Sequence, residues 1–347
     1  MRRSTVVPLI QPPAPDYAAP TTPGTTVARG LTPAFELDPS PRSASRTIMR
    51  RLLGLTFSGL LLITLAGACA ANAAGKGAER PTYSLTVKFG KLMEKYQEHA
   101  KKQQWDAALA ELDKVAERDF LNPYERAMIF QARALVHTAL NKTDEVIKDM
   151  QQAVELDAMP EQPQLDAEYN LGLAYFMAER FSESADMFTK WASKAKDIEP
   201  TKYYVIASTL SQAHRFAEAL PYANKAVEGM KVPDEAWLQL LLSLNFETKN
   251  EAGVAAALKR LIAAFPKKEY WLQLSETYIA MGAEDKALQT LETVQAKGLL
   301  TEQLEIVALA RLYLRQGAAP KAAALLDQQI KAGKVEKVPF NLELLAK

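Results

Sequence analysis

The sequence predicts an all-α solenoid of stacked helix pairs, and three observations carry that prediction. Glycine is scarce, at 15 of 347 residues, while alanine, leucine, lysine, glutamate and glutamine dominate the long middle section, a composition that favours helix. From about residue 88 onward, apolar residues recur at helical spacing in paired segments. The tetrad Trp-Leu-Gln-Leu occurs at 237–240 and again at 271–274, with starts 34 residues apart, the stride of one helix hairpin.

Residues 1–48 hold nine of the 19 prolines, in runs such as QPPAPDYAAPTTPGTT. Such a segment buries too little apolar surface to order itself. Residues 49–73 have a basic start (Met49, Arg50, Arg51), an apolar run from Leu52 to Leu65, and the ending Ala71, Asn72, Ala73. That is the layout of a secretory signal peptide with Met49 as initiator, so the mature chain is expected to begin near Ala74 in the periplasm. Uncleaved, the uncharged stretch from Leu52 to Ala74 is long enough to anchor in a bilayer, with Arg42, Arg46, Arg50 and Arg51 at its cytoplasmic end. A lipid on Cys69 is a third form of attachment, although Leu65 sits one residue too far away for the usual signal. As the single cysteine, Cys69 can form no internal disulfide. Residues 74–88 read as a linker.

The repeats occupy 89–337, starting near 89, 127, 165, 200, 234, 268 and 303. The sixth is the clearest, with Trp271, Leu274, Ser275, Tyr278, Ala287 and Leu291 at places 4, 7, 8, 11, 20 and 24. The third supplies Leu171, Gly172, Tyr175, Phe181, Ser184 and Phe188, with Trp191 where a small residue is usual. Tyr203, Ile206, Ala207, Phe216, Ala219 and Ala226 mark the fourth, and Leu309, Ala310, Tyr313 and Ala322 the seventh. In the fifth, Leu240 stands at place 7, followed by one extra loop residue and then Val254 and Leu258. The first two are weaker, resting on Trp105, Ala108 and Leu112, and on Phe130, Ala134, Val146, Met150 and Ala153. Asn122, Pro123 and Glu125 read as a capped helix start. Residues 338–347 supply a partial opening helix or cap.

Small residues at places 8 and 20 let two helices approach, and aromatics at 4, 11 and 24 fill the space between repeats. This pattern resembles the tetratricopeptide repeat (TPR), which implies a TPR solenoid, a right-handed superhelix of about seven antiparallel helix pairs. In that architecture the inner surface is lined by places 2, 5, 9, 12 and 13. Asp166, Tyr169, Leu173, Phe176 and Met177 fill them in the third repeat, and Thr201, Tyr204, Ser208, Ser211 and Gln212 in the fourth. The expected partner-binding groove is therefore Asp166, Tyr169, Leu173, Phe176, Met177, Tyr204, Ser208, Ser211 and Gln212. Some of these side chains are also expected to pack against neighbouring helices.

The formal charge is +1, and residues 1–73 hold seven of the 42 basic and three of the 41 acidic residues. The remainder is nearly neutral, without the basic stripe that phosphate neutralisation requires, so nucleic acid is not an expected partner. No phosphate-binding glycine loop, Gly-x-Ser-x-Gly or His-Glu-x-x-His occurs. His99 and His137 share place 11 but lack a third ligand. Neither an enzymatic activity nor a cofactor is expected.

NPYERAMIF, PDEAWLQLLLSLNFE, FPKKEYWLQLSETY, KGLLTEQLEIVALARLYL, KAAALLDQQIKAGKVEK and NLELLAK run over much of 122–347. They resemble the periplasmic TPR proteins associated with the TonB, ExbB and ExbD energy-transducing system. That resemblance implies a non-catalytic accessory binding envelope proteins, TonB, ExbB and ExbD components among them. The alternative within the same class is a general periplasmic assembly factor for cell wall, outer membrane or polysaccharide export.

Overall fold

A computed structural model of the chain describes residues 83–337. The Pro-rich head, the leader, the first part of the linker and the closing segment 338–347 lie outside the described residues. Fourteen helices and no strand occur among the described residues, and the helices form seven pairs. In order these are α1 (Val87–Lys101) with α2 (Trp105–Ala116), α3 (Pro123–Ala139) with α4 (Thr143–Glu155), and α5 (Glu161–Met177) with α6 (Phe181–Ala192). Next come α7 (Pro200–Gln212) with α8 (Phe216–Glu228), α9 (Glu235–Glu247) with α10 (Glu251–Ala264), α11 (Lys268–Ala280) with α12 (Glu284–Ala296), and α13 (Gln303–Arg315) with α14 (Ala319–Lys331).

The first three pairs open two to four residues before the predicted starts, because α3 and α5 run to 17 residues where α7 has 13. At α3 the added turn is held by the expected cap. The Glu125 amide donates to Asn122 Oδ1 at 3.0 Å, and Glu125 Oε2 accepts from the Asn122 amide at 3.1 Å. The other oxygen of Glu125 reaches across to α1, accepting from the Thr86 amide at 2.9 Å and its hydroxyl at 2.7 Å. One buried carboxylate thus satisfies donors at two helix starts.

Each helix packs on its predecessor and successor, most extensively within a pair. Fully buried alanines at place 20 (Ala108, Ala219, Ala287 and Ala322) allow the close approach inside four pairs. No pair can bury its apolar face alone, so the core extends across pairs: one cluster links the first two pairs, a second the second and third, and a third runs from Leu165 in α5 to Val335 beyond α14.

Every pair turns in the same way. The carbonyl of place 11 accepts from the amide five residues on: Lys142 to His137 at 2.9 Å, Arg180 to Tyr175 at 3.0 Å, Ala283 to Tyr278 at 2.8 Å. The turn requires one left-handed residue, and Gln103, Asn141, Glu179, His214, Lys249, Gly282 and Gly317 supply it at φ between 55° and 71°. Only the last two are the residue type that adopts this conformation without strain.

These turns correct the reading of the fifth repeat. Its place-11 carbonyl belongs to Asn245, which accepts from the Asn250 amide at 2.8 Å. The fifth and sixth turns therefore have equal length, with no extra loop residue, and Leu241 rather than Leu240 is the equivalent of Leu274. The two Trp-Leu-Gln-Leu tetrads stand one residue out of register. Trp237 is buried, stacked on Tyr204 at 4.9 Å and 10°. Tyr270 takes the equivalent buried place in α11 and leaves Trp271 half-buried.

Candidate functional site

The nine residues expected to form a groove lie on α5 and α7, and packing divides them. Tyr169, Leu173, Phe176, Tyr204 and Ser208 are all at most 9% exposed, so in the free chain they form helix-to-helix packing and not an open lining. The cause is the bulk of their neighbours. The ring of Tyr169 lies 5.1 Å from Phe188 and 4.8 Å from Trp191, the tryptophan standing where a small residue is usual. Phe176 meets Phe181 edge-on at 5.3 Å. Burial, with a smaller contribution from Glu199, raises the pKa of the Tyr169 hydroxyl.

Asp166 and Met177 are exposed, and Ser211 and Gln212 are half-buried. Asp166 accepts from Gln162 Nε2 at 2.9 Å. Met177, 51% exposed, borders a recess of about 50 Å³ with Val146 and Ala174. Two apolar side chains of later pairs join it in exposure: Phe246 on α9, 60% exposed, and Ile279 on α11, 37% exposed. Each directly follows the place-11 residue of its pair, Asn245 or Tyr278, as Phe176 follows Tyr175. The spacing that marks the inner surface in α5 therefore also marks Phe246 and Ile279, once carried into the fifth and sixth pairs.

A second feature lies on a different stripe of α5. A cavity of about 430 Å³ opens between α4, α5 and α6, with Gln164, Glu168 and Tyr175 on α5, Glu155 at the end of α4, Lys190 on α6 and Lys194 in the turn just beyond it. Glu168 occupies place 4, where the repeat pattern carries an aromatic, so the missing ring accounts for part of the space. Its carboxylate is almost wholly buried, and Oε1 accepts from Lys194 Nζ at 2.6 Å while Oε2 has no hydrogen-bond partner. Gln164, equally buried, donates from Nε2 to the Val154 carbonyl at 3.0 Å; that bond orients the amide and leaves Oε1 without a partner. Gln151 Nε2 donates to the Tyr175 hydroxyl oxygen at 2.7 Å, and the Arg180 guanidinium lies over the Tyr175 ring at 4.8 Å.

The two place-11 histidines have separate partners. His99 Nδ1 is 2.7 Å from Gln104 Oε1, and buried His137 Nδ1 is 2.8 Å from Asp149 Oδ2. Asp149 also accepts from Arg133 Nε at 3.2 Å. Burial raises the Asp149 pKa against the opposing pull of Arg133 and His137. Among the described residues no group of three or more histidine, cysteine, aspartate or glutamate side chains could hold a metal ion. No helix among them is long and apolar enough to cross a membrane.

No family model matches the chain, and no curated protein does. Solved structures do. A chain of the Naa15/Naa10 complex bound to HypK-THB aligns at 14% identity and a TM-score of 0.52, over 75% of this chain and 39% of that one. The present chain thus spans well under half of that relative's length. A tetratricopeptide repeat protein from Parabacteroides merdae aligns at 14% identity and a TM-score of 0.41, over 75% of this chain and 98% of that one. YrrB, described as a TPR protein with an unusual peptide-binding site, aligns at 18% identity and 0.40, over 56% and 94%. Seven helix pairs, alanines at the close approach inside four of them and one recurring turn make the fold an all-α TPR solenoid.

Proposed function

We propose that the chain is a non-catalytic scaffold that holds other proteins in the Gram-negative envelope, as an accessory to the TonB, ExbB and ExbD system. The observation that carries the binding role is the exposed apolar series Met177, Phe246 and Ile279, displayed by the first helices of three tightly packed pairs. A phenylalanine gives a rigid anchor at small entropic cost, and a methionine adapts to the shape of what it meets. Helices braced on both sides hold such anchors in fixed positions, so a partner loses little in ordering the surface it binds. The leader-like segment 49–73 supports an envelope location, and the phrases across 122–347 support the TonB association.

Affinity capture with the full chain from envelope extracts tests the reading, together with growth of a deletion strain on a TonB-dependent iron source. The expected result is recovery of TonB-system components and a growth defect confined to that source. Equal defects on freely diffusing nutrients, or recovery of cell-wall, outer-membrane or polysaccharide-export proteins alone, would instead assign the chain to general envelope assembly.

A further inference from the structure

The cavity between α4, α5 and α6 combines two features that packing alone does not account for. Two of the residues lining it, Glu168 and Gln164, are each only 2% exposed and carry an acceptor oxygen, Oε2 and Oε1 respectively, that is not hydrogen-bonded. Buried acceptors left unpaired are uncommon in folded proteins and costly, the more so on a charged group. The cavity itself, about 430 Å³, is within the usual size of ligand sites and exceeds what one or two waters need.

The lining states which chemistry would satisfy those oxygens. Orphaned acceptors call for a donor, and a carboxylate among them calls for a cationic one. The acidic residues at the cavity are Glu155, Asp157 and Glu168, against the lysines Lys190 and Lys194. Lys194 already holds Oε1 of Glu168, from a side chain 40% exposed and so able to swing outward. It acts as an internal counter-ion to the carboxylate while the site is open. An incoming ammonium or guanidinium would supply the N–H donors that Oε2 and Gln164 Oε1 lack.

We infer that this cavity is a receptor for the basic side chain of a partner polypeptide, with Glu168 and Gln164 as its ligands and Lys194 as the displaceable competitor. The choice of a polypeptide as source rests on the scaffold reading above; the cationic chemistry does not. The site lies on a stripe of α5 distinct from Tyr169, Leu173 and Phe176, so it gives the third pair a second contact, independent of the exposed apolar series.

Calorimetric titration of the full chain tests this with four probes: capped tripeptides carrying one lysine or one arginine, the lysine peptide acetylated on Nζ, and putrescine. The lysine and arginine peptides are expected to bind, and the acetylated peptide, which has lost its charge, is not. Glu168→Gln should weaken peptide binding about tenfold or more. Lys194→Met, which removes the competitor, should tighten it several-fold, an effect that a purely structural role for the ion pair would not produce. Equal binding of the acetylated peptide, no binding by either basic peptide, or weaker binding in Lys194→Met overturns the proposal. Putrescine binding as well as the peptides overturns the polypeptide source and makes this a small-amine site. Basic peptides that bind while the chain captures no envelope protein leave the cavity's chemistry standing and remove the scaffold reading. Capture without peptide binding does the reverse.

Discussion

A β-carbon placed on Gly172 would lie 2.7 Å from Cε1 of Phe188, so α5 and α6 touch at a position that excludes every side chain. Phe188 cannot retreat, since it is fully buried with Tyr169 at 5.1 Å on its flank. Gly172→Ala should therefore destabilise the third pair by about 1–3 kcal/mol, the range for overpacking a filled core. A urea titration followed by circular dichroism reads this as a lower midpoint. Adding Phe188→Leu should return part of the loss by opening space, because the two sites are in contact and their effects couple.

Left-handed turn residues give a prediction of opposite sign. Lys249 at φ 55° and Gln103 at φ 55° are exposed and carry the strain of a β-carbon in this region. Lys249→Gly and Gln103→Gly should each stabilise by about 0.5–1 kcal/mol, net of the entropy glycine adds to the unfolded chain. Gly282→Ala, at φ 71° with open space around it, should cost about 1 kcal/mol through the backbone alone. A midpoint unmoved by all three would mean the turns relax without strain.

The alkaline limit is set in part by two tyrosines. Burial, and then the neighbouring Glu235, pushes Tyr270 up to about 12; burial and Glu292 do the same for Tyr313. Each hydroxyl donates to its carboxylate, Tyr313 to Glu292 at 2.9 Å. For a group whose folded pKa is raised, the stability it contributes is complete below the unfolded value near 10 and is lost as pH rises through the folded value. The chain should thus lose stability between about pH 10 and 12, with phenolate absorbance appearing late for these two rings. Replacing both by phenylalanine should lessen the fall of the urea midpoint across that window, with the other buried tyrosines, Tyr169 among them, accounting for the remainder.

Two sets of substitutions separate the packed face from the accessible one. Met177→Gln, Phe246→Ser and Ile279→Gln together should weaken partner capture by about 2 kcal/mol while leaving the urea midpoint nearly unchanged, since all three side chains are exposed. Tyr169→Ala with Phe176→Ala should instead lower the midpoint, by about 3–5 kcal/mol for each buried ring removed. If the second pair abolished capture with no loss of stability, Tyr169 and Phe176 would be contact residues after all.

The places of the repeat were legible because close approach and ring packing are local demands. Ala287, Ser275, Tyr278 and Leu291 are buried as their spacing requires, and Asn122, Pro123 and Glu125 form the cap their types require. The fate of the inner surface was less legible. Spacing states which side of α5 Tyr169 occupies, but whether that side is open depends on Trp191, 22 positions away and bulky where a small residue is usual. The shared tetrad misled by one residue because composition cannot distinguish Trp271 from Tyr270 as the buried ring; only the turn at Asn245 fixes the count. Glu168 carried a signal of its own, a charged residue at an aromatic's place, and its meaning emerges only with the cavity beside it.

Because each pair is braced only by the pairs beside it, the stack has a mechanical character that a globular core lacks. Pulled from its ends, it should yield one hairpin at a time, each freed unit of some 34 residues lengthening the chain by roughly 110 Å at full extension. A force trace would then be a row of low, similar peaks and not one high rupture. The buried carboxylate of Glu125, tying the start of α1 to the start of α3, would make release of the first hairpin distinct from those of its successors.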